Sequence, residues 1–314
     1  MRDIIVVGEL NVDVILDGLP SFPEVNRERI ASRMQTVLGS SSAIFASNIA
    51  MMGMRVAFIG KLGMDDYSEL IIDNLQAKGV DTSHIVFDEK LRTGATVILS
   101  CGEDRMMVTY PGSMDHLTLA DVAADVVGSA RHLHFSSFFI QPGIRKHVGE
   151  LMRMAKDLGL TTSLDLQWDP DEKWDFDYAA ILPHVDVFLP NESEILALTA
   201  ETELPKALAK LQPHSNVVAV KCGSRGCLVA HEGESFWQPS YLNEAVVDAI
   251  GAGDSFDAGF VCMFKQGKSL RECADFANLM GAISTTAVGG TMAFASKGKI
   301  METALNRFNQ SIHL

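Results

Sequence analysis

Residues 248–260 read DAIGAGDSFDAGF, and this stretch separates an upstream region of alternating strand and helix patterns from a purely helical last part of the chain. Its small residues precede Asp254 and an apolar run, which predicts a helix beginning near Gly253. Bare N–H groups at a helix N-terminus, with the helix dipole, favour a phosphate. Asp254 in the first turn would lie beside that phosphate and could accept a proton from an attacking hydroxyl. A plain helix cap at Asp254 remains an alternative.

Upstream of this stretch, short β-branched apolar runs alternate with longer runs of helical spacing. The predicted strands cover residues 4–7, 56–59, 133–135, 161–164, 185–189, 217–220 and 226–230. The predicted helices cover residues 42–52, 68–78, 118–127, 144–158, 191–199 and 205–211, followed by 253–265, 270–287 and 296–309. This alternation predicts an α/β fold with a mostly parallel central sheet flanked by helices.

Two segments, at about 11–38 and 91–110, break this rhythm with a period of two residues. The second alternates around Gly102, Glu103 and Asp104, as a β-hairpin does. We interpret both segments as a small β-sheet lid, with edge strands of the central sheet as the alternative. Because no repeat or linker interrupts the sequence, we expect residues 1–314 to form a single domain that carries this lid.

Composition excludes several classes of partner. The chain has 314 residues, of which 47% are hydrophobic, and a formal net charge of −14. This charge opposes binding to nucleic acids and anionic membranes. No signal peptide or long apolar segment is visible, so we expect a cytoplasmic protein. The five cysteines include no CxxC pair and are expected to be reduced thiols that pack in the interior.

Residues 248–254 resemble the C-terminal signature of the ribokinase-like (PfkB) carbohydrate kinases, D-x-x-G/A-A/G-G-D followed by a helix. The resemblance implies a three-layer ribokinase-like domain with a lid, ATP as phosphoryl donor and Asp254 as catalytic base. It also implies an anion hole for the transferred γ-phosphoryl group, formed by Gly251, Ala252 and Gly253.

Residues 8–13, Gly-Glu-Leu-Asn-Val-Asp, follow the first predicted strand and resemble the place where this family binds sugar hydroxyls. Asn11 and Asp13 are therefore implied substrate contacts, and a carboxylate suits a vicinal diol because it accepts two hydrogen bonds. A turn role for Asp13 remains open. Arg105, in the lid, is a further candidate for substrate binding.

Residues 39–53 align with the family's N-terminal pattern of a Gly-Gly turn before a helix. Gly39 and Ser40 are the implied substrate contacts here. Ser40 replaces the second glycine, and Ile44 replaces an asparagine that touches the sugar in many members. A preference for ribose therefore cannot be transferred to this chain.

Asn191 and Glu194 lie three residues apart where a predicted strand meets a predicted helix. This spacing places both side chains on one helical face, where they could hold Mg²⁺ partly through water. A capping box fits the same spacing. The resemblance to the family's N-x-x-E magnesium motif favours the metal.

Residues 221–226 resemble the family's strand and tight turn beside the nucleotide, although a plain β-turn would explain the glycines as well. The implied nucleotide contacts are Lys221, Gly223, Ser224 and Gly226. Asn278, in a late helix, resembles a residue of the adenine-side wall, with a solvent-facing asparagine as the alternative. Many members also bind a monovalent cation, and the equivalent positions here are Asp248 and Ile250, so K⁺ is a possible cofactor.

The sequence says less about the identity of the acceptor than about the type of reaction. The basic residues near the lid are scattered rather than clustered, which favours a neutral sugar or sugar acid over a sugar phosphate; they are Arg27, Arg29, Lys61, Arg92 and Arg105. A nucleoside kinase and a non-catalytic sugar or nucleotide sensor of the same fold remain alternatives. A dehydrogenase is disfavoured because no glycine-rich fingerprint follows the first strand. A homodimer through the lid is possible.

Overall fold

An eight-stranded central sheet is the core of the computed structural model, which describes residues 1–102 and 104–314. Glu103, at the tip of the predicted lid hairpin, lies outside the described residues. The strands are β1 Ile4–Val7, β2 Asn11–Asp17, β3 Arg33–Leu38, β4 Val56–Ile59, β5 Lys61–Leu62, β6 Val86–Phe87, β7 Gly94–Cys101, β8 Asp104–Tyr110, β9 His132–Phe135, β10 Thr161–Leu164, β11 Val187–Phe188, β12 Val217–Lys221, β13 Cys227–His231 and β14 Glu234–Gln238.

The central sheet is mostly parallel, which confirms the predicted fold class. Its order is β14-β13-β12-β11-β10-β9-β1-β4, and only the pairings that involve β13 and β14 are antiparallel. The two residues between β13 and β14 form a tight hairpin, a connection that only antiparallel neighbours can use. The predicted strand at 226–230 is thus found as β13, whereas β14 was not predicted.

Helices cover both faces of this sheet. They are α1 Ser41–Met51, α2 Asp66–Ala77, α3 Ala124–Val127, α4 Pro142–Arg145, α5 Val148–Asp157, α6 Tyr178–Ile181, α7 Glu192–Thr199, α8 Leu204–Leu211, α9 Ala252–Lys265, α10 Leu270–Ser284 and α11 Lys297–Phe308. The side chains of β1 alternate between the two faces of the sheet. Ile4 and Val6 pack with α1, α2 and α9–α11 on one face, and Ile5 and Val7 pack with α3–α8 on the other.

Two predicted helices are shorter than expected. In place of a helix at 118–127, Asp121 accepts hydrogen bonds from the amide and hydroxyl of Thr118, and this closed turn precedes the short α3. The expected helix at 144–158 is divided into α4 and α5, with Pro142 in the first turn of α4.

A second sheet, which we call the lid, has the order β3-β2-β7-β8 and is separate from the central sheet. It confirms the small second sheet expected from the period-2 segments and rules out edge strands of the central sheet. The organisation of the whole chain as one domain stays a prediction. Within the described residues, no helix has the length and apolarity required to cross a bilayer.

Candidate active site

Polar residues gather where the parallel strands of the central sheet end at their carboxyl termini. They follow β1, β9, β10, β11 and β12, and the N-terminus of α9 faces the same edge. In open α/β sheets this edge is the usual place for a ligand. Several side chains in this region are carboxylates with little exposure to solvent, which is a costly arrangement unless cations or hydrogen-bond donors compensate.

Asp254 occupies the first turn of α9, as predicted. The helix begins after Gly251, which has a φ of 72° and lies so close to Gly290 that a Cβ would be 2.4 Å from its Cα. Gly251 therefore has to be glycine. Asp254 does not cap the helix; it is only 6% exposed, and its Oδ1 accepts a hydrogen bond from Nε2 of Gln167 at 3.1 Å.

The predicted anion hole lies at the start of this helix. The Ala252 amide donates to the Ala249 carbonyl at 3.3 Å, and the Ser255 amide donates to the Gly251 carbonyl at 2.9 Å. The amides between them belong to the first turn and have no intrahelical acceptor. A Cβ on Gly253 would lie 3.7 Å from Nζ of Lys221, so a buried cation adjoins this turn.

Lys221 compensates a cluster of buried carboxylates. Its Nζ lies 3.1 Å from Asp165 and 3.0 Å from Asp257, and oxygen atoms of Asp165, Asp254 and Asp257 lie within 4.8 Å of one another. Burial, reinforced by the charge of Asp165, raises the pKa of Asp254 to about 7. Burial lowers the pKa of Lys221, but Asp165 and Asp257 outweigh this effect and raise it overall. Lys221 is thus a buried ammonium ion beside the first turn of α9.

Three members of this cluster were missed by the sequence analysis. Asp165 and Gln167 directly follow the predicted strand at 161–164, and polar residues after a buried strand are a usable signal. Asp257 lies three residues after Asp254 and therefore on the same face of α9. Gln167 has a φ of 61°, and its amide donates to both Asp165 and Asp254, each at 3.1 Å.

Asn191 and Glu194 form the capping box that was one of the two interpretations of their spacing. Asn191 Oδ1 accepts from the Glu194 amide at 2.9 Å, and the Glu194 carboxylate accepts from the amide and side chain of Asn191. Burial and the neighbouring charge of Asp165 raise the pKa of Glu194 to about 7. Within the described residues, Asp165 Oδ1 is buried without a hydrogen-bond partner. These oxygen donors fit a hard cation such as Mg²⁺.

At the other end of the site, Asn11 and Asp13 lie together on β2. Asn11 Nδ2 donates to Thr96 Oγ1 at 2.9 Å and lies 3.4 Å from Asp13 Oδ1. Gly39 packs directly against this carboxylate, because a Cβ there would lie 2.4 Å from Asp13 Oδ1. Burial raises the pKa of Asp13 to about 7. A hydroxyl-binding role is compatible with this geometry.

Ser40 and Ile44 occupy the positions where the chain departs from the family pattern. The Ser40 hydroxyl donates to the Glu9 carbonyl at 2.6 Å and accepts from the Ala43 amide at 2.9 Å, so it caps α1. The Ile44 side chain fills the space beside Gly290, where a Cβ on that glycine would lie 2.5 Å from it. Ile44 therefore packs against the loop that borders the anion hole.

Asp248 connects the lid to that loop. Its Oδ1 accepts from the Ile250 amide at 2.9 Å and from Arg105 Nη1 at 3.2 Å, and its Oδ2 accepts from the Gly289 amide at 2.9 Å. Arg105 thus reaches from β8 to Asp248 and is already paired with this carboxylate, so its contact with a substrate stays a prediction.

A cleft of about 330 Å³ lies beside the first turn of α9, between the 221–226 turn and helices α9 and α10. Its lining includes all five residues predicted to contact a nucleotide, namely Lys221, Gly223, Ser224, Gly226 and Asn278. Asn278 is not solvent-facing, because it is 5% exposed and its amide donates to the carbonyls of Gln238 and Pro239 at 3.2 Å.

Comparison with protein families identifies the class to which this site belongs. The model of the pfkB family carbohydrate kinases matches residues 1–296. The chain belongs to this family. It is therefore a phosphotransferase with an alcohol group as acceptor, which confirms the enzyme class implied by residues 248–254.

Individual relatives differ in the acceptor that their names state. Fructokinase-1 of Oryza sativa is 27% identical over 314 residues, covering 93% of this chain and 96% of its own. The adenosine kinase of Sinorhizobium meliloti is 25% identical with a TM-score of 0.84, covering 94% and 97%. The Arabidopsis thaliana ribokinase complexed with ribose and ATP is 24% identical with a TM-score of 0.78, covering 96% and 98%. The family is established, but these names leave the acceptor of this chain open.

Proposed function

We propose that this protein is an ATP-dependent kinase that phosphorylates a hydroxyl group of a neutral sugar, with Asp254 as the catalytic base. The observation that carries this proposal is the position of Asp254, which is buried in the first turn of α9 and directly follows Ala252 and Gly253 in the lining of the cleft. A carboxylate there can take the hydroxyl proton as the first-turn amides stabilise charge on the transferring phosphoryl group. Relatives that use an alcohol acceptor support the reaction type.

The cleft is proposed to bind ATP, with the nucleoside between α10 and the 221–226 turn and the phosphates toward Gly251, Ala252 and Gly253. Asn191 and Glu194 are proposed to hold Mg²⁺, which when bound neutralises negative charge on the phosphates. Asp248 and Ile250 remain the proposed K⁺ ligands. The A. thaliana ribokinase complexed with ribose and ATP, which has the same fold, supports ATP as the nucleotide.

A neutral acceptor is favoured because the site presents carboxylates and few available cations. Four of the five basic residues considered for an anionic substrate are paired with acids: Arg27 and Arg29 with Glu24, Lys61 with Asp121, and Arg105 with Asp248. Asp13 and Asp254 would repel a phosphate or carboxylate group on the acceptor, whereas neutral hydroxyls can donate hydrogen bonds to them.

A coupled ADP-release assay tests the acceptor class. The panel contains D-fructose, D-ribose, D-gluconate, D-fructose 6-phosphate and adenosine, each with MgATP, with and without K⁺. We expect a neutral sugar to give the highest kcat/KM. A phosphorylated sugar or adenosine as the best acceptor would overturn the neutral-sugar proposal, and binding without any turnover would favour a sensor.

The role of Asp254 is tested by Asp254→Asn. We expect kcat to fall about 10²- to 10⁴-fold, the usual contribution of a positioned base, with ATP affinity near that of the parent. Asp66→Asn is the matched control, because Asp66 is an exposed carboxylate in the first turn of α2 and should not affect turnover. Parental kcat in Asp254→Asn would show that the base is a different residue.

A further inference from the structure

Glu9 is a buried carboxylate that the proposed function does not yet use. It follows β1 and Gly8, is 2% exposed, and accepts hydrogen bonds through both oxygen atoms. Oε1 accepts from the Ser42 amide at 3.2 Å and the Ser137 hydroxyl at 2.9 Å. The Ser40 hydroxyl, which donates to the Glu9 carbonyl at 2.6 Å, lies 3.1 Å from the same oxygen atom. Oε2 accepts from the Ser42 hydroxyl at 2.5 Å and from Gln141 Nε2 at 3.5 Å. A buried carboxylate with this many donors organises the groups around it.

Two of these donors have an unfavourable backbone conformation. Ser40 has a φ of 67° and Ser137 has a φ of 59°, in the left-handed region that non-glycine residues avoid. Such strain persists only where the surroundings hold it, and it concentrates at functional sites. Here the hydroxyls of both serines are held by Glu9: Ser137 donates to Oε1 at 2.9 Å, and Ser40 donates to the Glu9 carbonyl at 2.6 Å and lies 3.1 Å from Oε1.

The two serines are connected through neighbouring residues to opposite ends of the site, Ser40 to Asp13 and Ser137 to Asp254. Ser40 follows Gly39, which packs against the Asp13 carboxylate at the acceptor end. Ser137 precedes Phe138, whose amide donates to the Leu166 carbonyl at 3.0 Å. The residue after Leu166 is the strained Gln167, whose amide donates to Asp254. One carboxylate therefore connects the loop beside Asp13 with the loop that holds the base.

We infer that Glu9 is a positioning residue for phosphoryl transfer: by holding Ser40 and Ser137 in their left-handed conformations, it fixes the distance between the acceptor-binding end and Asp254. This inference rests on the proposed function, since it assumes that Asp13 and Asp254 act on one acceptor. Glu9 touches neither reactant, and its effect is transmitted through the two serine loops.

Glu9→Gln tests this inference, because the amide group of glutamine cannot accept all the hydrogen bonds of the carboxylate in either of its two orientations. If the amide nitrogen takes the place of Oε1, it faces the Ser42 backbone amide, which cannot become an acceptor. If it takes the place of Oε2, it faces Nε2 of Gln141, which is held by the carbonyls of Ser136 and Ser137 at 2.7 and 3.0 Å. Either arrangement leaves a buried donor unpaired.

The assay uses MgATP with D-fructose, or with whichever sugar of the panel gives the highest turnover. We expect kcat/KM for the sugar to fall about 10- to 100-fold, with the KM for ATP within about twofold of the parent. Ser137→Ala should shift the same constants by about 3- to 10-fold, and the double variant should lose less than the product of the two single losses. Ser137→Ala also keeps the inference testable if Glu9→Gln does not fold.

Asp186→Asn is the matched control, because Asp186 accepts hydrogen bonds from Lys156 and Thr162 at the opposite, amino end of the strands. It should lower the melting temperature and leave KM and kcat unchanged. If Glu9→Gln behaves in the same way, Glu9 is merely structural and the inference is wrong. Failure of the proposed function is distinguishable, because only then does Asp254→Asn retain full kcat.

Discussion

The buried charge of Lys221 is balanced by the charges of the carboxylates around it. Its side chain is 11% exposed, and the side chains of Asp165 and Asp257, with which it forms ion pairs, are 0% and 1% exposed. Buried charges are tolerated when they are paired, and removing one partner leaves the others uncompensated in a medium of low polarity. The stability of this part of the core is therefore tied to one ammonium group.

Lys221→Met should test this dependence. We expect the free energy of unfolding to fall by about 3–5 kcal/mol, since two buried carboxylates lose their counterion. Urea denaturation followed by circular dichroism measures the change. Lys173→Met provides the comparison, because the ion pair of Lys173 with Asp171 is largely exposed and should contribute less than about 1 kcal/mol. Equal losses in the two variants would contradict this account.

At the scale of elements, β9 carries two histidines into the core, where they are kept neutral. His134 stacks on Phe45 of α1 with ring centroids 3.6 Å apart, and its Nδ1 lies 2.8 Å from Ser163 Oγ on β10. The same hydroxyl lies 2.7 Å from His132 Nε2. Burial lowers the pKa of His134 to about 3 and also lowers the pKa of His132.

This pair makes stability sensitive to acid. An unfolded histidine binds a proton at about pH 6.5, whereas folded His134 does so only near pH 3, so the unfolded state binds more protons between these values. The stability that each of these histidines contributes is therefore complete above about pH 6.5 and falls as pH decreases, by about 1.4 kcal/mol per pH unit. Asp13, Glu194 and Asp254, whose pKa values burial raises to about 7, act in the opposite direction over the same range.

His134→Phe preserves the stacking on Phe45 and should remove the contribution of one histidine to the change of unfolding free energy with pH. Unfolding free energies at several pH values between about 4 and about 7 measure it. The parent protein, measured over the same pH range, provides the comparison. A parental slope in His134→Phe would mean that His134 is not kept neutral by burial.

The elements that carry strong periodicity were predictable, and the contacts between them were not. The alternating strands and helices, the lid and the position of Asp254 in α9 follow from local patterns. By contrast, Asp165 and Lys221 are 56 residues apart in sequence, and no local pattern reveals that they form an ion pair. The capping box at Asn191 and Glu194 also required the structure, because both interpretations demand the same spacing.

At the scale of the whole molecule, the lid has two unlike faces. One carries Asp13 and Thr96 toward the site. The other carries a cross-strand row of Met34, Leu16, Leu99 and Met106, and a second row of Val14, Val97 and Val108. Met34, Met106 and Val108 are 68%, 52% and 72% exposed. An exposed apolar face of this kind favours association, so the homodimer through the lid stays a prediction that this face can test.

Val108→Lys should convert such a dimer to monomers, because it places a charge at the exposed β8 end of the second apolar row. Size-exclusion chromatography with light scattering measures the mass of parent and variant. Met107→Lys is the control, since Met107 is 65% exposed on the same strand but points to the opposite face. A parent that is monomeric at every concentration would show that the lid face is not a dimer interface.

The site is assembled from distant parts of the chain. Asn48 of α1 donates to the Gly290 carbonyl, 242 residues away, and Gln167 binds Asp254, 87 residues away. A nascent chain that ends before residue 248 could complete the lid and all eight central strands and still lack Asp254 and the first turn of α9. Such contacts form late, because closing long loops is entropically costly. During synthesis or refolding, enzymatic activity would thus report the completion of the entire fold rather than of any single part.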